Sequence, residues 1–190
     1  MANLIIVNER DEEISTADAI ECHRGQGRLH RAFTVFLLNA SNQLLIQQRS
    51  NNKLLWPLTW ESSCSGHPVP GEDYLSAGEK RVIEELGISC KLAFVNKFQY
   101  SAKYKDVGSE NEVCALLFGK YDGNVRPNSE EVEQWKWVDL EELKREIGAN
   151  PNRYAPWLVC AMKMYGHRVN SIIQRSSRAG CQLKSEDRGV

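Results

Sequence analysis

Three of the four histidines and a pair of glutamates have types and spacing that could hold one divalent metal ion. His23 and His30 flank a glycine-containing loop, His67 lies in a Ser-Gly-His-Pro segment, and Glu110 and Glu112 are two residues apart. Side chains two apart on a strand project from the same face. Mixed nitrogen and oxygen donors suit an octahedral Mn²⁺, Mg²⁺ or iron site, or an expanded Zn²⁺ site. On spacing alone, ordinary surface or hydrogen-bonding roles are the commoner interpretation.

A second pattern runs from Gly66 to Ile88. Glu72 follows Gly66 at an interval of six residues, and the segment that ends at Ile88 reads Lys-Arg-Val-Ile-Glu-Glu-Leu-Gly-Ile. An amphipathic helix with a solvated charged face would explain the charges of this segment. It would not explain why the glycine, glutamate and isoleucine positions fall in register with the Nudix box, a metal- and diphosphate-binding loop–helix–loop that this pattern resembles.

Within this resemblance, Arg81 stands where the Nudix box has the first glutamate of its helix, and Lys80 stands in place of an arginine. A guanidinium cannot ligate Mg²⁺ because it has no acceptor lone pair. It can instead clamp a phosphate through paired hydrogen bonds. Glu84 and Glu85 remain available to a metal ion. The resemblance therefore implies a phosphate-binding frame and disfavours ordinary Nudix hydrolysis.

The likeness is closest to one family within that superfamily, the type 1 isopentenyl-diphosphate isomerases, and it extends from about His23 to Trp157. The segments that carry it are R-L-H-R-A-F, L-L-I-Q-Q-R-S, C-S-G-H-P, E-E-L-G-I, F-Q-Y-S-A, E-N-E-V-C and Y-A-P-W. The resemblance implies an α+β fold in which helices sandwich a Nudix-type mixed β-sheet in a single domain.

The resemblance also assigns a metal site and a diphosphate site. The residues that match the family's metal ligands are His23, His30, His67, Glu110 and Glu112, and the expected ion is Mg²⁺, Mn²⁺ or Zn²⁺. Glu85 matches the ligand of a second Mg²⁺, which bridges the protein and the substrate diphosphate. Arg49, Lys53 and Arg81 match phosphate-binding positions, although a solvated basic turn would explain them equally well from sequence alone.

The reaction that the resemblance implies moves a double bond in a five-carbon prenyl diphosphate, adding a proton at one carbon and removing one from another. An alkene is a very weak base, so the reaction needs a strong acid and a site without water. By resemblance, Glu112 and Tyr100 deliver the proton, and Trp157 offers an aromatic face to the tertiary cation. Ser65 stands at the position of the base that removes the second proton.

Two positions depart from the family pattern. The family has a catalytic cysteine where this chain has Ser65, and Cys64 lies one residue earlier, on the opposite side of an extended chain. A serine hydroxyl is far harder to deprotonate than a thiol unless a base lies beside it. A lysine that helps bind the diphosphate in bacterial members is replaced by Ala19. We therefore expect slow isomerisation and uncertain affinity for the small substrate.

Three functional hypotheses follow. The first is an isopentenyl-diphosphate delta-isomerase, which interconverts isopentenyl and dimethylallyl diphosphate. The second is a related enzyme that protonates a longer prenyl diphosphate and favours cyclisation. The third is a Nudix diphosphate hydrolase or a prenyl-diphosphate binder without catalysis. The first is preferred, because the matching residues are many and only two are lost.

Composition narrows the class of protein. The 190 residues carry 24 Lys and Arg against 25 Asp and Glu, for a net charge of −1, which argues against a nucleic-acid partner. No apolar run is long enough to span a membrane, and the N-terminus does not look like a signal peptide. None of the six cysteines forms a C-x-x-C pair. We expect a cytoplasmic enzyme with free thiols, a small-molecule substrate, and a monomer or weak dimer.

The elements that must position these residues can be read from periodicity and turn signals. Strands are predicted at Leu4–Val7, Ala32–Asn39, Gln43–Arg49, Lys91–Tyr100, Glu112–Tyr121 and Gln134–Val138, the second and third joined as a hairpin. Helices are predicted over residues 73–87, from Asp139, and over Ala155–Tyr165. We expect a domain over residues 1–169, followed by a flexible tail over residues 170–190.

Overall fold

The computed structural model describes residues 3–166, and its strands belong to one mixed β-sheet. The first half contains β1 (Asn3–Val7), β2 (Glu13–Asp18), α1 (Ala19–His23), β3 (His30–Leu38), β4 (Leu44–Arg49), β5 (Trp60–Glu61) and β6 (Cys64–Gly66). The second half contains α2 (Tyr74–Leu86), β7 (Leu92–Tyr104), β8 (Gly108–Lys120), β9 (Val132–Val138), α3 (Leu140–Ala149), a 3-10 turn (Pro151–Arg153) and α4 (residues 156–166). The tail expected at residues 170–190 lies outside the described residues.

Strand β3 lies at the centre of the sheet. It pairs in parallel with β8 along its whole length, from His30 opposite Glu112 to Leu38 opposite Lys120. It also pairs antiparallel with the short β6, and β8 pairs antiparallel with β7. Strand β4 pairs with β5 and β9. The central strand therefore touches the segments that carry every sequence-predicted metal ligand except His23.

Helices cover both faces of the sheet because β3 is apolar on both sides. One face of β3 packs with α2, and this cluster includes Phe33, Val35, Leu37, Val82 and Leu86. The other face packs with α3 and α4, and this cluster includes Ala32, Phe36, Leu38, Leu143 and Leu158. Side chains alternate between the two faces of a strand, so a continuous apolar run fills both cores. The expected α+β sandwich is confirmed.

The predicted helix ends are confirmed as well. The Asp73 side chain accepts hydrogen bonds from the first-turn amides of α2, and Asp139 does the same for α3. Gly87 closes α2 with a left-handed φ of 66°, which glycine adopts without strain. Pro156 lies at the first helical position of α4. No helix within residues 3–166 is long and apolar enough to cross a membrane.

The predicted hairpin between β3 and β4 is confirmed, but its strands are paired over a short length only. The turn itself forms, with the Asn39 amide bonded to the Gln43 carbonyl at 3.1 Å, but only Leu38 and Leu44 are paired across the strands. The two strands diverge because β3 takes β6 and β8 as partners, while β4 takes β5 and β9. Sequence analysis also missed β2, α1, β5 and β6, and the last two are too short to show a periodic pattern.

Candidate active site

Five side chains converge at one end of the β3–β8 pair. One nitrogen or oxygen atom from each lies within 4.8 Å of the others, and the residues are His23, His30, His67, Glu110 and Glu112. The three imidazole rings have centroids 4.9 to 5.3 Å apart. These are the five residues that the sequence proposed for the first metal ion, and the structure brings them together, whereas Glu85, proposed for a second ion, is not among them.

Strand register explains most of this convergence. His30 begins β3 directly opposite Glu112 of the parallel strand β8, and Tyr100 of β7 lies opposite Glu112 on the other side. Residues directly opposite each other project from the same face, so the three side chains form one row across the sheet. Glu110 joins the row because β8 begins at Gly108, earlier than predicted, and two-residue spacing places it beside Glu112.

The loop between α1 and β3 is fastened by the residues that alternate with these glutamates. The Ser109 hydroxyl donates to the Gly25 carbonyl at 2.7 Å, and the Asn111 amide donates to the Gly27 carbonyl at 3.2 Å. Gly27 has a φ of 75°, and a Cβ there would stand 3.1 Å from the Ser109 carbonyl oxygen. Because only glycine fits this approach, the loop can hold His23 at a set distance from β8.

The ring orientations of two histidines fit a metal ligand set. Nδ1 of His23 bonds to the Ala19 carbonyl at 2.6 Å, and Nδ1 of His30 bonds to the Arg28 carbonyl at 2.7 Å. A carbonyl only accepts, so Nδ1 carries the hydrogen and Nε2 is left with a lone pair. Nε2 of His30 and Oε2 of Glu110 are both buried without a hydrogen-bond partner. Nε2 of His23 lies 3.0 Å from that Glu110 oxygen without hydrogen-bond alignment, so a shared cation is the fitting partner for these atoms.

The electrostatics of the five residues point the same way. Burial, together with the neighbouring Glu112, raises the pKa of Glu110 to about 7, and burial lowers the pKa of His67 to about 4. Burial would also raise the pKa of Glu112, but His67, 3.0 Å from its Oε1, and His30, 3.6 Å away, hold it well below its usual range. Burial would lower the pKa of His23, but the neighbouring Glu110 raises it to about 9. A buried cluster that draws positive charge in this way is stabilised by a divalent cation.

Adding a divalent cation should therefore stabilise the protein measurably. At a concentration about 100 times its Kd, a cation bound to the native state adds about 2.7 kcal/mol to the free energy of unfolding. For a chain of this size, that raises the melting temperature by about 5–10 °C. Thermal melts with Mg²⁺ and Mn²⁺, together with elemental analysis of the purified protein, measure the effect.

In a His67→Ala variant, we expect most of this thermal shift and of the bound metal to be lost. Asp106→Asn is the matched control, because Asp106 is fully exposed on the turn between β7 and β8. The control should shift as much as the wild-type protein. An equal shift in all three proteins would show that the cation binds elsewhere.

Tyr100 and Glu112 form a pair suited to proton transfer. The Tyr100 hydroxyl donates to Oε2 of Glu112 at 2.6 Å, while Oε1 faces His67 at 3.0 Å. Burial and the Glu112 charge raise the pKa of Tyr100 well above its ordinary value, so the phenol stays protonated. Glu112 therefore has one oxygen toward the metal ligands and one toward a hydroxyl proton donor.

A cavity of about 370 Å³ opens in front of this pair. Its walls include Tyr100, Glu112, Ser65, Trp157 and Ala19, the position where the family's lysine is missing. The indole of Trp157 is buried at 4 % exposure by the start of α4 and meets the Trp56 ring edge-on at 5.7 Å. The predicted acid, base and aromatic positions thus line one cavity.

The three basic residues assigned to the diphosphate also line this cavity, but each is paired with an acid. Arg49 donates to Glu61 at 3.0 Å and to the Leu55 and Trp56 carbonyls. Lys53 contacts Glu131. These pairs balance the positive charge that the sequence alone displayed, so the surroundings of the cavity are less basic than expected.

Arg81 is held by three carboxylates of its surroundings. Its guanidinium contacts Glu84 at 2.7 Å and Glu131 at 3.3 Å, and it also pairs with Glu85. Glu85 is buried, which raises its pKa, and it accepts from the Gln47 amide at 2.7 Å. Glu85 lies apart from the five-residue metal cluster, as a ligand for a second ion would.

Ser65 and Cys64 face opposite sides of the sheet, as predicted. They lie on β6 opposite Thr34 and Val35 of β3. Ser65 lines the cavity, whereas Cys64 is fully buried in the core beneath α2. Because the chain is extended here, the thiol one residue earlier cannot replace the missing cysteine.

Glu61 was not predicted from the sequence. It is buried at 1 % exposure behind the cavity-lining residues Ser65 and Trp157. Its Oε1 accepts from Arg49 at 3.0 Å and from Gln47 at 3.2 Å. Its Oε2 accepts from the Trp157 indole at 2.9 Å and from the Ser65 hydroxyl. A sequence signal existed, since Glu61 is the only Asp, Glu, Lys or Arg in residues 54–71. A lone acid in so apolar a stretch indicates a buried and therefore paired carboxylate.

Comparison with known proteins defines the class. The NUDIX domain model matches residues 28–158. The DR0079 protein of Deinococcus radiodurans superposes with a TM-score of 0.63 at 23% identity, covering 77% of this chain and 89% of that one. The MutT protein of Methanosarcina mazei superposes with a TM-score of 0.58 at 17% identity, covering 75% and 94%. The fold and the matched domain make this a Nudix protein.

More similar sequences narrow the class to a family. An isopentenyl-diphosphate Delta-isomerase 1 of Aromatoleum aromaticum is 37% identical over 82% of this chain and 87% of its own length. The enzyme of the same name from Photorhabdus laumondii is 37% identical over 83% and 90%. The chain belongs to the type 1 isopentenyl-diphosphate Delta-isomerases of the Nudix superfamily.

Proposed function

We propose that this protein is an isopentenyl-diphosphate Delta-isomerase that interconverts isopentenyl and dimethylallyl diphosphate. The observation that carries the proposal is the placement of Glu112, bonded to Tyr100 at 2.6 Å, in one cavity with Ser65 and Trp157. The relatives of the same name support it, with 33–37% identity over most of the chain. A cavity with an acid, a base position and an aromatic face has the parts that alkene protonation requires.

In the proposed reaction, Glu112 and Tyr100 deliver a proton to the terminal methylene carbon, C4, of isopentenyl diphosphate. The tertiary cation that forms at C3 lies against the π face of Trp157. Ser65 takes a proton from C2, and the electrons of that C–H bond form the new double bond. Burial of Trp157 and Tyr100 keeps water from the cation, which would otherwise be hydrated.

We propose that His23, His30, His67, Glu110 and Glu112 hold Mg²⁺ or Mn²⁺, with Zn²⁺ as the alternative. When bound, this ion supplies positive charge that makes a proton on the Glu112 carboxyl group more acidic. Glu85 would hold a second Mg²⁺ for the diphosphate. Arg49, Lys53 and Arg81 would bind the diphosphate oxygens by exchanging part of their present carboxylate contacts for the ligand.

Incubation with isopentenyl diphosphate and Mg²⁺ in D₂O tests the function. We expect deuterium in both isomers, seen by NMR and mass spectrometry, and no exchange after the metal is removed with a chelator. No exchange at high enzyme concentration would contradict the proposal. In parallel, C10 and C15 diphosphates test for a longer substrate through cyclic or hydrocarbon products, and phosphate release tests for hydrolysis.

The hydrolase alternative has less support. Arg81 occupies the helix position that would carry a metal-binding glutamate and pairs with Glu84 and Glu85, the two carboxylates that follow it in the same helix. We further propose action in the cytoplasm on a small-molecule substrate, because the cysteines Cys22, Cys64, Cys90, Cys114 and Cys160 are free thiols. A monomeric or weakly dimeric state stays a prediction.

A further inference from the structure

The buried carboxylate of Glu61 links the two residues that would surround the reacting carbons. A single oxygen, Oε2, accepts both the Ser65 hydroxyl and the Trp157 indole N–H. The other oxygen is bonded to Arg49, whose guanidinium also lies 5.0 Å from the centroid of the Trp157 ring. A buried carboxylate is tolerated only when it is paired, and Arg49 supplies the balancing charge. Glu61 therefore remains an acceptor directly behind Ser65.

We propose that Glu61 is the positioning residue that makes Ser65 a competent base, by accepting the Ser65 hydroxyl proton as Ser65 takes the proton from C2. This inference rests on the isomerase function proposed above and deepens it. The C2–H bond of the cation breaks and its electron pair becomes the C2–C3 double bond. The proton moves to Ser65 Oγ, and the proton already on Oγ moves to Oε2 of Glu61. After the product leaves, Glu61 gives its proton back through Ser65 to solvent and Glu112 takes up another proton, so the enzyme is reset and no other reactant is consumed.

The geometry requires both residues. Ser65 lines the cavity, but a serine hydroxyl is a poor base unless its own proton can leave to a neighbouring group. Glu61 is such a group, yet it is 1 % exposed, and of its partners that line the cavity only Ser65 offers a hydroxyl that can relay a proton. A C–H proton next to a carbocation is strongly acidic. A serine hydroxyl that passes its own proton to Glu61 is therefore basic enough to remove the proton from C2. The relay thus accounts for how a chain that lacks the family's thiol could still isomerise its substrate.

A two-by-two set of variants tests the relay: Glu61→Gln, Ser65→Cys, the double variant and the wild-type protein. Each is incubated with isopentenyl diphosphate in D₂O, and two rates are followed. One is the formation of dimethylallyl diphosphate, which needs proton removal from C2. The other is deuterium entry at C4 of recovered substrate, which needs only the acid side. The second rate reports whether the cavity and the acid remain intact.

With Ser65 in place, Glu61→Gln should slow isomerisation by about 10²-fold, because one proton-transfer group contributes a rate factor of about this size. The rate of deuterium exchange at C4 should stay within a few-fold of the wild-type rate. In the Ser65→Cys background, the same change should cost under about threefold, because a thiol gives up its proton without help. Glu79→Gln is the matched control, since this carboxylate is hydrogen-bonded to Lys91 and the Leu92 amide, away from the cavity.

Equal losses in both backgrounds, or parallel losses of both rates, would overturn the relay and make Glu61 a structural residue. If the Glu61→Gln variant does not fold, the Ser65→Ala variant is tested in its place. In that variant Glu61 keeps its bonds to Arg49, Gln47 and Trp157, so the fold is preserved. Ser65→Ala should lose isomerisation and retain C4 exchange, and a wild-type isomerisation rate in this variant would also overturn the proposal. A wild-type protein without any exchange would instead contradict the function itself.

Discussion

Glu112→Gln is expected to slow isomerisation by at least about 10³-fold and to abolish deuterium exchange at C4. A positioned acid contributes about 10² to 10⁴ in rate, and this change also replaces one of the five proposed metal ligands. An amide cannot deliver the proton, and its NH₂ group would meet either the Tyr100 hydroxyl or the histidines. The carboxylate of Glu112 contacts Tyr100 at 2.6 Å and His67 at 3.0 Å. This single substitution therefore alters both the contact with the proton donor and the contact with the histidine cluster.

Metal content and a Tyr100→Phe variant distinguish the proposed role of Glu112 as an acid from its proposed role as a metal ligand. Metal content shows whether the amide still supports binding, and Tyr100→Phe removes the phenol while keeping all five ligands. We expect Tyr100→Phe to retain metal and to lose less activity than Glu112→Gln. Glu133→Gln, on the exposed side of β9, is the matched control and should behave as wild type. A Glu112→Gln protein that keeps C4 exchange would show that another group is the acid.

Trp157→Leu should lower the turnover rate by about 10²-fold with little change in KM. A desolvated cation–π contact is worth about 2 kcal/mol or more, and the lost indole bond to Glu61 adds about 1 kcal/mol. Each 1.36 kcal/mol on the barrier is about a factor of ten in rate. The cation forms only after the substrate has bound, during the chemical step. The variant should therefore lower the turnover rate and leave substrate binding unchanged.

Trp157→Phe should lose only about tenfold, because it keeps an aromatic face and loses the indole bond. Trp135→Leu is the control, since Trp135 is 36% exposed on β9. Replacement of a buried tryptophan also destabilises the fold, so thermal midpoints are measured first and rates are compared well below them. Equal rates for the Leu and Phe variants would contradict a role for the π face.

Local signals were sufficient for most elements of this fold. The helices α2 and α3 were predicted with their caps, Asp73, Gly87 and Asp139, because each cap satisfies backbone groups a few residues away. The longer strands followed from apolar runs. Pairing was different: β3 and β8 are neighbours although some 80 residues separate His30 from Glu112, and no local pattern encodes that choice. For the same reason, nothing in the sequence showed that the predicted hairpin between β3 and β4 would be paired only next to its turn.

The site divides in the same way. The proposed metal ligands followed from residue types and from a family resemblance, and one donor atom of each of the five lies within 4.8 Å of the others. The sequence could not show the net charge around the cavity. It displays the basic residues Arg49, Lys53 and Arg81 but not the carboxylates that pair with them in the fold. Glu131, which pairs with both Lys53 and Arg81, had no sequence feature to mark it.

By itself, the sequence determined the longer strands and the capped helices, since these depend on short-range periodicity and local caps. Its resemblance to a known family predicted the class of fold, the family and the proposed ligands of the metal cluster. Only the tertiary structure decided which charges neutralise each other and that Glu61 stands behind Ser65. The four partners of Glu61 come from β4, β6 and α4, so their meeting depends on how the strands pair and how α4 packs against the sheet. A buried carboxylate acquires its role from such neighbours, because only they can compensate its lost hydration.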